Sequence, residues 1–328
     1  HIAIVGATGA VGEEMLACLD QRNFPISELT LLASARSAGK KISFQGKEII
    51  VKELTHEAFE GVEIALFAAG GGISETFAPS AAKAGAIVID NSSAFRMDDE
   101  VPLIVPEINP EAVKEAVKGI IANPNCTTII SLMALYPLHK KYGLKSIIAS
   151  SYQAVSGSGS AGIAELKQQC EVLANGSEVV SEVYPTQIAF NVIPQVDVFE
   201  PDNYTKEELK MLNESRKILK LPELKVTCTC VRVPVYRSHS VSITAGFETT
   251  PNVEDARAVY ADYPGVDAKD DPSQNIFPTP LDTTLKDNCL VGRIREDKVL
   301  DDALALWVVG DQVRKGAALN AVQIAEIL

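Results

Sequence analysis

Histidine is scarce in this chain of 328 residues: only His1, His56, His139 and His239 occur. Any chemistry that needs an imidazole must choose among these four. Cysteine is sparse too, with Cys18, Cys126, Cys170, Cys228, Cys230 and Cys289 and no C-x-x-C pair. That spacing lacks the clustering with histidine that a zinc site requires. It also lacks the density of a secreted disulfide scaffold, so a reduced, cytoplasmic protein is expected. No apolar run reaches the length of about 18 residues that a membrane-spanning helix needs. No basic region followed by an apolar core opens the chain, which argues against a signal peptide. The chain starts inside a strand without Met, and residues upstream are expected. Positive charge is in deficit, with 30 Lys and Arg against 43 Asp and Glu, a formal net charge of −13. Such a surface repels phosphate backbones, so neither nucleic acid nor membrane is an expected partner. An anionic small ligand must then be held by a few local cations.

Hydrophobic residues make up 46% of the chain and charged residues 22%, a balance that suits packed globular domains. Short apolar strands are predicted at 1–5, 30–33, 63–69, 86–89, 103–105 and 119–122, with helices after Gly12 and over 74–84. Strands alternating with helices predict a parallel sheet with crossovers, an α/β Rossmann-like domain. A long apolar helix is predicted over 127–142. Longer β-rich runs follow at 145–151, 225–235, 241–247, 289–295 and 303–309, with a closing helix over 311–328. These suit a mixed or antiparallel sheet with one exposed face, an α+β domain. The expected division is a dinucleotide-binding domain at 1–125, completed by 311–328, and a catalytic α+β domain at 126–310.

Gly6, Gly9 and Gly12 stand between the first strand and the first helix as G-x-x-G-x-x-G. Glycines there let the backbone turn tightly and approach a pyrophosphate lying on the helix N-terminus. A carboxylate at the exit of the second strand normally meets the ribose hydroxyl of NAD. The exit here reads Ala33-Ser34-Ala35-Arg36-Ser37-Ala38. It holds no carboxylate, and Arg36 beside Ser37 suits a 2′-phosphate, so NADP is the expected cofactor.

Asn123-Pro124-Asn125-Cys126-Thr127-Thr128 falls where a strand ends and a helix begins. A thiol at a helix N-terminus meets unpaired N–H groups and the positive end of the macrodipole, which favour the thiolate. The other five cysteines are expected in structural places on strands and helices. A nucleophilic cysteine needs an acid or base in reach. His56 is expected in an acidic surface helix, and His139 near the exposed end of an amphipathic helix. His239 lies in Arg232-Val233-Pro234-Val235-Tyr236-Arg237-Ser238-His239, a polar elbow between two β runs, and is the candidate.

These strings, with Asn91-Ser92-Ser93-Ala94-Phe95-Arg96, Tyr152-Gln153-Ala154-Val155-Ser156-Gly157-Ser158-Gly159 and the segment Gly310 to Ala318, occur in order along essentially the whole chain. Together they resemble the aspartate-β-semialdehyde dehydrogenase family, most of all its bacterial branch. The resemblance implies Cys126 as the nucleophile that forms an acyl-enzyme, His239 as general acid/base and Gln153 as an orienting group. It implies Arg232 for the substrate α-carboxylate and Glu207 for its ammonium. Arg96 and Lys210, with Asn125 beside them, would hold phosphate. Thr8, Gly9, Ala10 and Val11 would cradle the pyrophosphate, and Arg36 and Ser37 the 2′-phosphate. Ser156, Gly157 and Gln312 would approach the nicotinamide. A homodimer or homotetramer is implied as well, with 126–310 as the dimerisation domain. Glu208 adjoins Glu207, and a salt-bridged helix surface is the alternative for that pair.

The implied reaction is NADPH-dependent reductive dephosphorylation of L-aspartyl-4-phosphate, in the biosynthesis of lysine, threonine, methionine and isoleucine. Rivals with the same Cys/His chemistry are N-acetyl-glutamyl-phosphate reductase, whose cysteine motif carries Gly in place of Asn125, and acyl-CoA reductases such as malonyl-CoA reductase. A rival of another class is an inactive NADP-binding regulator, which would be expected to lose Cys126 or His239.

Overall fold

A computed structural model describes residues 1–328. Its contacts cluster into two units, one of residues 1–125 with 317–328 and one of residues 126–316. The chain therefore returns to the first unit at Ala317, six residues later than the sequence places the switch.

The first unit contains β1 (Ile2–Val5), α1 (Ala10–Gln21), β2 (Leu29–Ala33), β3 (Lys41–Phe44), β4 (Lys47–Ile50), β5 (Lys52–Glu53), β6 (Ile64–Phe67), α2 (Gly71–Lys83), β7 (Ile87–Asp90) and β8 (Ile120–Ala122). The main sheet is wholly parallel, in the order β5-β2-β1-β6-β7-β8. Strand order reverses at β1, and ligands of such sheets bind at the carboxyl ends beside that reversal. β1 is buried along its whole length, as a central parallel strand covered on both faces must be. The last helix, Leu319–Glu326, packs against α1 and is tied to it by a bidentate ion pair between Arg22 and Glu326. Residues 103–105 make only a single bridge, Leu103 to Ala122, rather than the expected strand. Backbone bonds there pass instead to the Asn109 side chain, which accepts from Val105 N–H and donates to the Leu103 carbonyl. The second helix starts at Gly71, earlier than its apolar spacing indicates, because its first turn is glycine-rich and carries no periodic signal.

The second unit contains α3 (Cys126–Tyr142), β9 (Leu144–Gln153), α4 (Gly159–Ala174), α5 (Lys206–Leu219), β10 (Lys225–Arg232), β11 (His239–Phe247), α6 (Val253–Ala258), β12 (Val266–Ala268), α7 (Pro280–Thr283), β13 (Cys289–Glu296) and β14 (Ala303–Gly310). Its sheet is mixed, in the order β10-β9-β11-β14-β13-β12, with parallel pairs only at the two edges. α3 lies against β9, β11, β13 and β14 and is buried on nearly every side. It is therefore a core helix and not an amphipathic one. His139 at its end is half-buried, not exposed: its Nδ1 accepts the Leu144 N–H at 3.0 Å, and burial lowers its pKa. The opposite face of the sheet shows Ile148, Tyr152 and Trp307, with the two rings 5.4 Å apart. Residues 311–328 do not form one helix. A loop at 311–313 and a wide turn over Arg314–Ala318 come before the last helix. No helix is long and apolar enough to cross a membrane.

Candidate active site

The first unit forms the dinucleotide cradle. Gly6 has φ +82°, a left-handed conformation in which a side chain is strained, and a Cβ there would lie 2.7 Å from the Ala68 carbonyl oxygen. A Cβ on Gly12 would press into the Gly6 carbonyl and stand 2.8 Å from Ala7 Cα. Helix α1 therefore starts hard against the turn, with Ala10, Val11 and Gly12 in its first turn and Gly9 as N-cap. A cleft of about 410 Å³ opens there, lined by Gly6, Thr8, Gly9, Ala33, Ser34 and Ala68 among others. The Thr8 hydroxyl faces that of Ser37 at 3.5 Å. Ser37 is buried and Arg36 exposed on the turn Ala35–Ser37. Contrary to the expectation from sequence, a carboxylate does stand at the exit of β2: Glu53 of β5 pairs with Ala33 and lines the same cleft.

Arg96 also belongs to the first unit. Its Nε donates to the Asn123 carbonyl at 2.9 Å and its Nη2 to the Asn91 carbonyl at 2.7 Å. Asn125, just before the second unit, is buried.

In the second unit the carboxyl end of β9 organises the site. Ala154 N–H donates to His239 Nδ1 at 3.0 Å, and the Ala154 carbonyl accepts from Arg232 Nη1 at 2.7 Å. One residue's main chain thus orients both groups. A neutral imidazole that accepts at Nδ1 carries its proton on Nε2. His239 is fully buried, and its Nε2 has no partner. Burial, and then the Arg232 charge, hold its pKa well below the ordinary imidazole value. Gly157 covers this pair: a Cβ there would lie 2.9 Å from Arg232 Nη1 and 3.4 Å from His239 Nε2. Arg232 is buried, and the Tyr184 ring lies 6.0 Å from its Cζ.

Cys126 opens α3 and so stands at the positive end of the helix macrodipole. Its Sγ is 4.0 Å from Thr127 Oγ1, which accepts from Gln153 Nε2 at 2.7 Å. The same amide lies 3.2 Å from Glu207 Oε1. Glu207 Oε2 in turn accepts from Lys210 Nζ at 2.9 Å. Burial opposes the Lys210 charge, yet the Glu207 and Asp197 carboxylates outweigh it and raise the ammonium pKa above its ordinary value. Glu208 is committed elsewhere. It closes a capping box with Thr205 and accepts Cys230 N–H at 2.9 Å. Glu207 is therefore the member of the pair that faces Gln153, and neither is a surface residue.

Two family models match the chain: "Semialdehyde dehydrogenase, NAD binding domain" over 1–116 and "Semialdehyde dehydrogenase, dimerisation domain" over 135–315. The aspartate-semialdehyde dehydrogenase of Aquifex aeolicus is 52% identical, over 100% of this chain and 97% of that protein. The crystal structure of aspartate semialdehyde dehydrogenase II from Vibrio cholerae, complexed with ASA, superposes with TM-score 0.97 at 47% identity, covering 100% and 97% of the two chains. The chain belongs to the semialdehyde dehydrogenase family. A more distant aspartate semialdehyde dehydrogenase, from Candida albicans with NADP, has TM-score 0.77 at 26% identity, covering 100% and 97%.

In this member of the family the structure adds Asp311 and Asp197 to the residues that the motifs singled out, and it gives Gln312 its partners. Asp311 is buried and accepts from Arg237 Nε at 2.6 Å and from Leu285 N–H at 2.7 Å. Gln312 accepts Ser238 N–H at 2.8 Å and donates to the Ser156 hydroxyl. Its amide therefore fastens the elbow, in which Ser238 has φ +75°, to the 155–158 turn. Asp197, the second partner of Lys210, carried no signal, because thirteen residues and a turn separate them. The segment at 156–160 is not a plain loop either: a 3-10 turn at Val155–Ser158 leads straight into α4.

Proposed function

We propose that this chain catalyses the NADPH-dependent reductive dephosphorylation of L-aspartyl-4-phosphate to L-aspartate 4-semialdehyde. The unpartnered, buried Nε2–H of His239 carries the reading, since it stands beside Arg232 in the unit that Cys126 opens. The glycine cradle and its cleft fit a dinucleotide pyrophosphate. When bound, the dinucleotide supplies the hydride to the thioester carbon. Thr8 to Val11 would hold it, with Arg36 and Ser37 at the 2′-phosphate and Ser156 and Gly157 toward the nicotinamide.

Cys126 as thiolate attacks the acyl carbon, and the carbon–oxygen bond to phosphate breaks. The phosphate leaves and takes one proton from solvent, and a thioester remains. After reduction, the oxygen that carries negative charge accepts a hydrogen bond from His239 Nε2–H. The carbon–sulfur bond then breaks, which restores the thiolate and releases the aldehyde. Sequence alone makes His239 an acid and a base. Ala154 N–H occupies Nδ1, so the geometry favours the donor half. Arg232 pairs the α-carboxylate as a fork, Glu207 meets the ammonium, and Lys210, Arg96 and Asn125 hold the phosphate. Gln153 orients the substrate between Thr127 and Glu207. The exposed face at Ile148, Tyr152 and Trp307 suits a homodimer contact. Placement in the cytoplasm follows from the same reading.

The deciding experiment runs the reaction backwards. NADPH should form from L-aspartate semialdehyde and NADP⁺ only with inorganic phosphate present, because phosphate must release the acyl-enzyme. Equal rates without phosphate would indicate a hydrolysing aldehyde dehydrogenase. A preference for coenzyme A would indicate an acyl-CoA reductase. Turnover of the N-acetylated glutamate analogue alone would indicate the sister reductase. Arg232→Leu should raise the KM for the semialdehyde, and Arg96→Leu the KM for phosphate. For the cofactor, Arg36→Ala should weaken NADPH about tenfold with little effect on NADH, its exposure screening part of the charge. Equal losses for both cofactors, read by fluorescence titration, would contradict the 2′-phosphate assignment.

A further inference from the structure

The carboxylate of Glu53 has no role in the reading above. β5 is only two residues long, and it pairs in parallel with the end of β2 so that Glu53 stands beside Ala33. Glu53 lines the cleft with Ser34 and Ala35 and is exposed, and its carboxylate makes no hydrogen bond or ion pair with another residue. The exit of the second strand is where this fold meets the adenosine ribose, the part at which NAD and NADP differ. A carboxylate accepts hydrogen bonds from the 2′- and 3′-hydroxyls of an unphosphorylated ribose. The same group repels a phosphate dianion.

We propose that Glu53 is a second determinant of cofactor choice. It favours a ribose with its hydroxyls intact and opposes the 2′-phosphate that Arg36 attracts, so it narrows the margin by which NADPH is preferred over NADH. This rests on the dinucleotide reading of the cleft and extends it. Arg36 follows the strand in sequence and Glu53 comes from the neighbouring strand, so the two charges of opposite sign reach the same strand exit by separate routes. Glu53 is water-exposed, so its effect is moderate and shrinks as salt rises.

The test is the Kd of NADPH and NADH by fluorescence titration, and of 2′,5′-ADP and 5′-AMP by calorimetry, for the unmodified chain and Glu53→Gln. Glutamine keeps the size of the side chain and removes its charge. NADPH and 2′,5′-ADP should bind about two- to fivefold tighter, and NADH and 5′-AMP weaker by a similar factor. The NADPH gain should fade at high ionic strength. An unchanged NADPH-to-NADH affinity ratio overturns the role of Glu53, as does an unchanged ratio of 2′,5′-ADP to 5′-AMP affinity. Failure to bind either dinucleotide overturns the reading of the cleft itself, and so separates that failure from this one.

Discussion

Cys126→Ala is expected to lower turnover by several orders of magnitude while dinucleotide binding stays intact. The substitution removes only the sulfur. Cys126 is half-buried at the first position of α3, and the packing around its Cβ is retained: a Cβ on Gly316 would lie 2.8 Å from it. Little strain and no large cavity result, so the loss is chemical and not structural. NADPH binding should persist, because the cleft lined by Gly6, Thr8 and Ser34 contains no part of α3. Circular dichroism and NADPH fluorescence would establish that the variant is folded and loaded. Retention of near-parental turnover would refute a covalent mechanism. The other five cysteines are in structural positions, including Cys228 and Cys230, whose sulfurs lie 3.7 Å apart on the buried side of β10. Alkylation that inactivates the parent should therefore leave no further activity to lose in the variant.

The next largest effect is expected at His239. A positioned proton donor contributes roughly 10²- to 10⁴-fold, and His239→Asn should lower turnover by about that much with substrate KM little changed. An effect confined to KM would make His239 a binding residue. The pH dependence has a definite sign. Because burial and Arg232 depress the folded-state pKa, the ring is neutral at neutral pH, and its protonation limb lies well below pH 6.5. Turnover should show no fall near pH 6.5 from this group. Stability follows the same logic: an unfolded His239 binds a proton at a pH where the folded one does not. Its contribution is complete above the unfolded-state pKa and is lost as pH falls below it. The thermal stability of the parent should fall on acidification more than that of His239→Asn. A parent that gains stability as pH drops from 7.5 to 5.5 through this group would contradict the buried, neutral assignment.

The sequence by itself determined the parts that are written locally. The strand–glycine–helix at 1–21 needs no distant residue, since its signal is backbone freedom at Gly6 and room at Gly12. Cys126 could be placed at a helix start because Pro124 and the apolar run after it mark that boundary. His239 could be preferred over the other histidines because it alone sits in a polar elbow between two β runs. Tertiary structure decided what depends on chains meeting far from one another in sequence. It set Glu53 beside β2, where the residues after the strand show only Arg36. It separated Glu207 from Glu208, because the capping box and the β10 N–H claim one carboxylate and Gln153 meets the other. It made His139 a half-buried end of a core helix, since the sheet covers α3 on the side that its spacing left open. It also fixed the His239 tautomer, which depends on the Ala154 N–H across 85 residues of chain. Hydrogen bonds and burial between such partners are set by strand register and packing, and no local pattern encodes either.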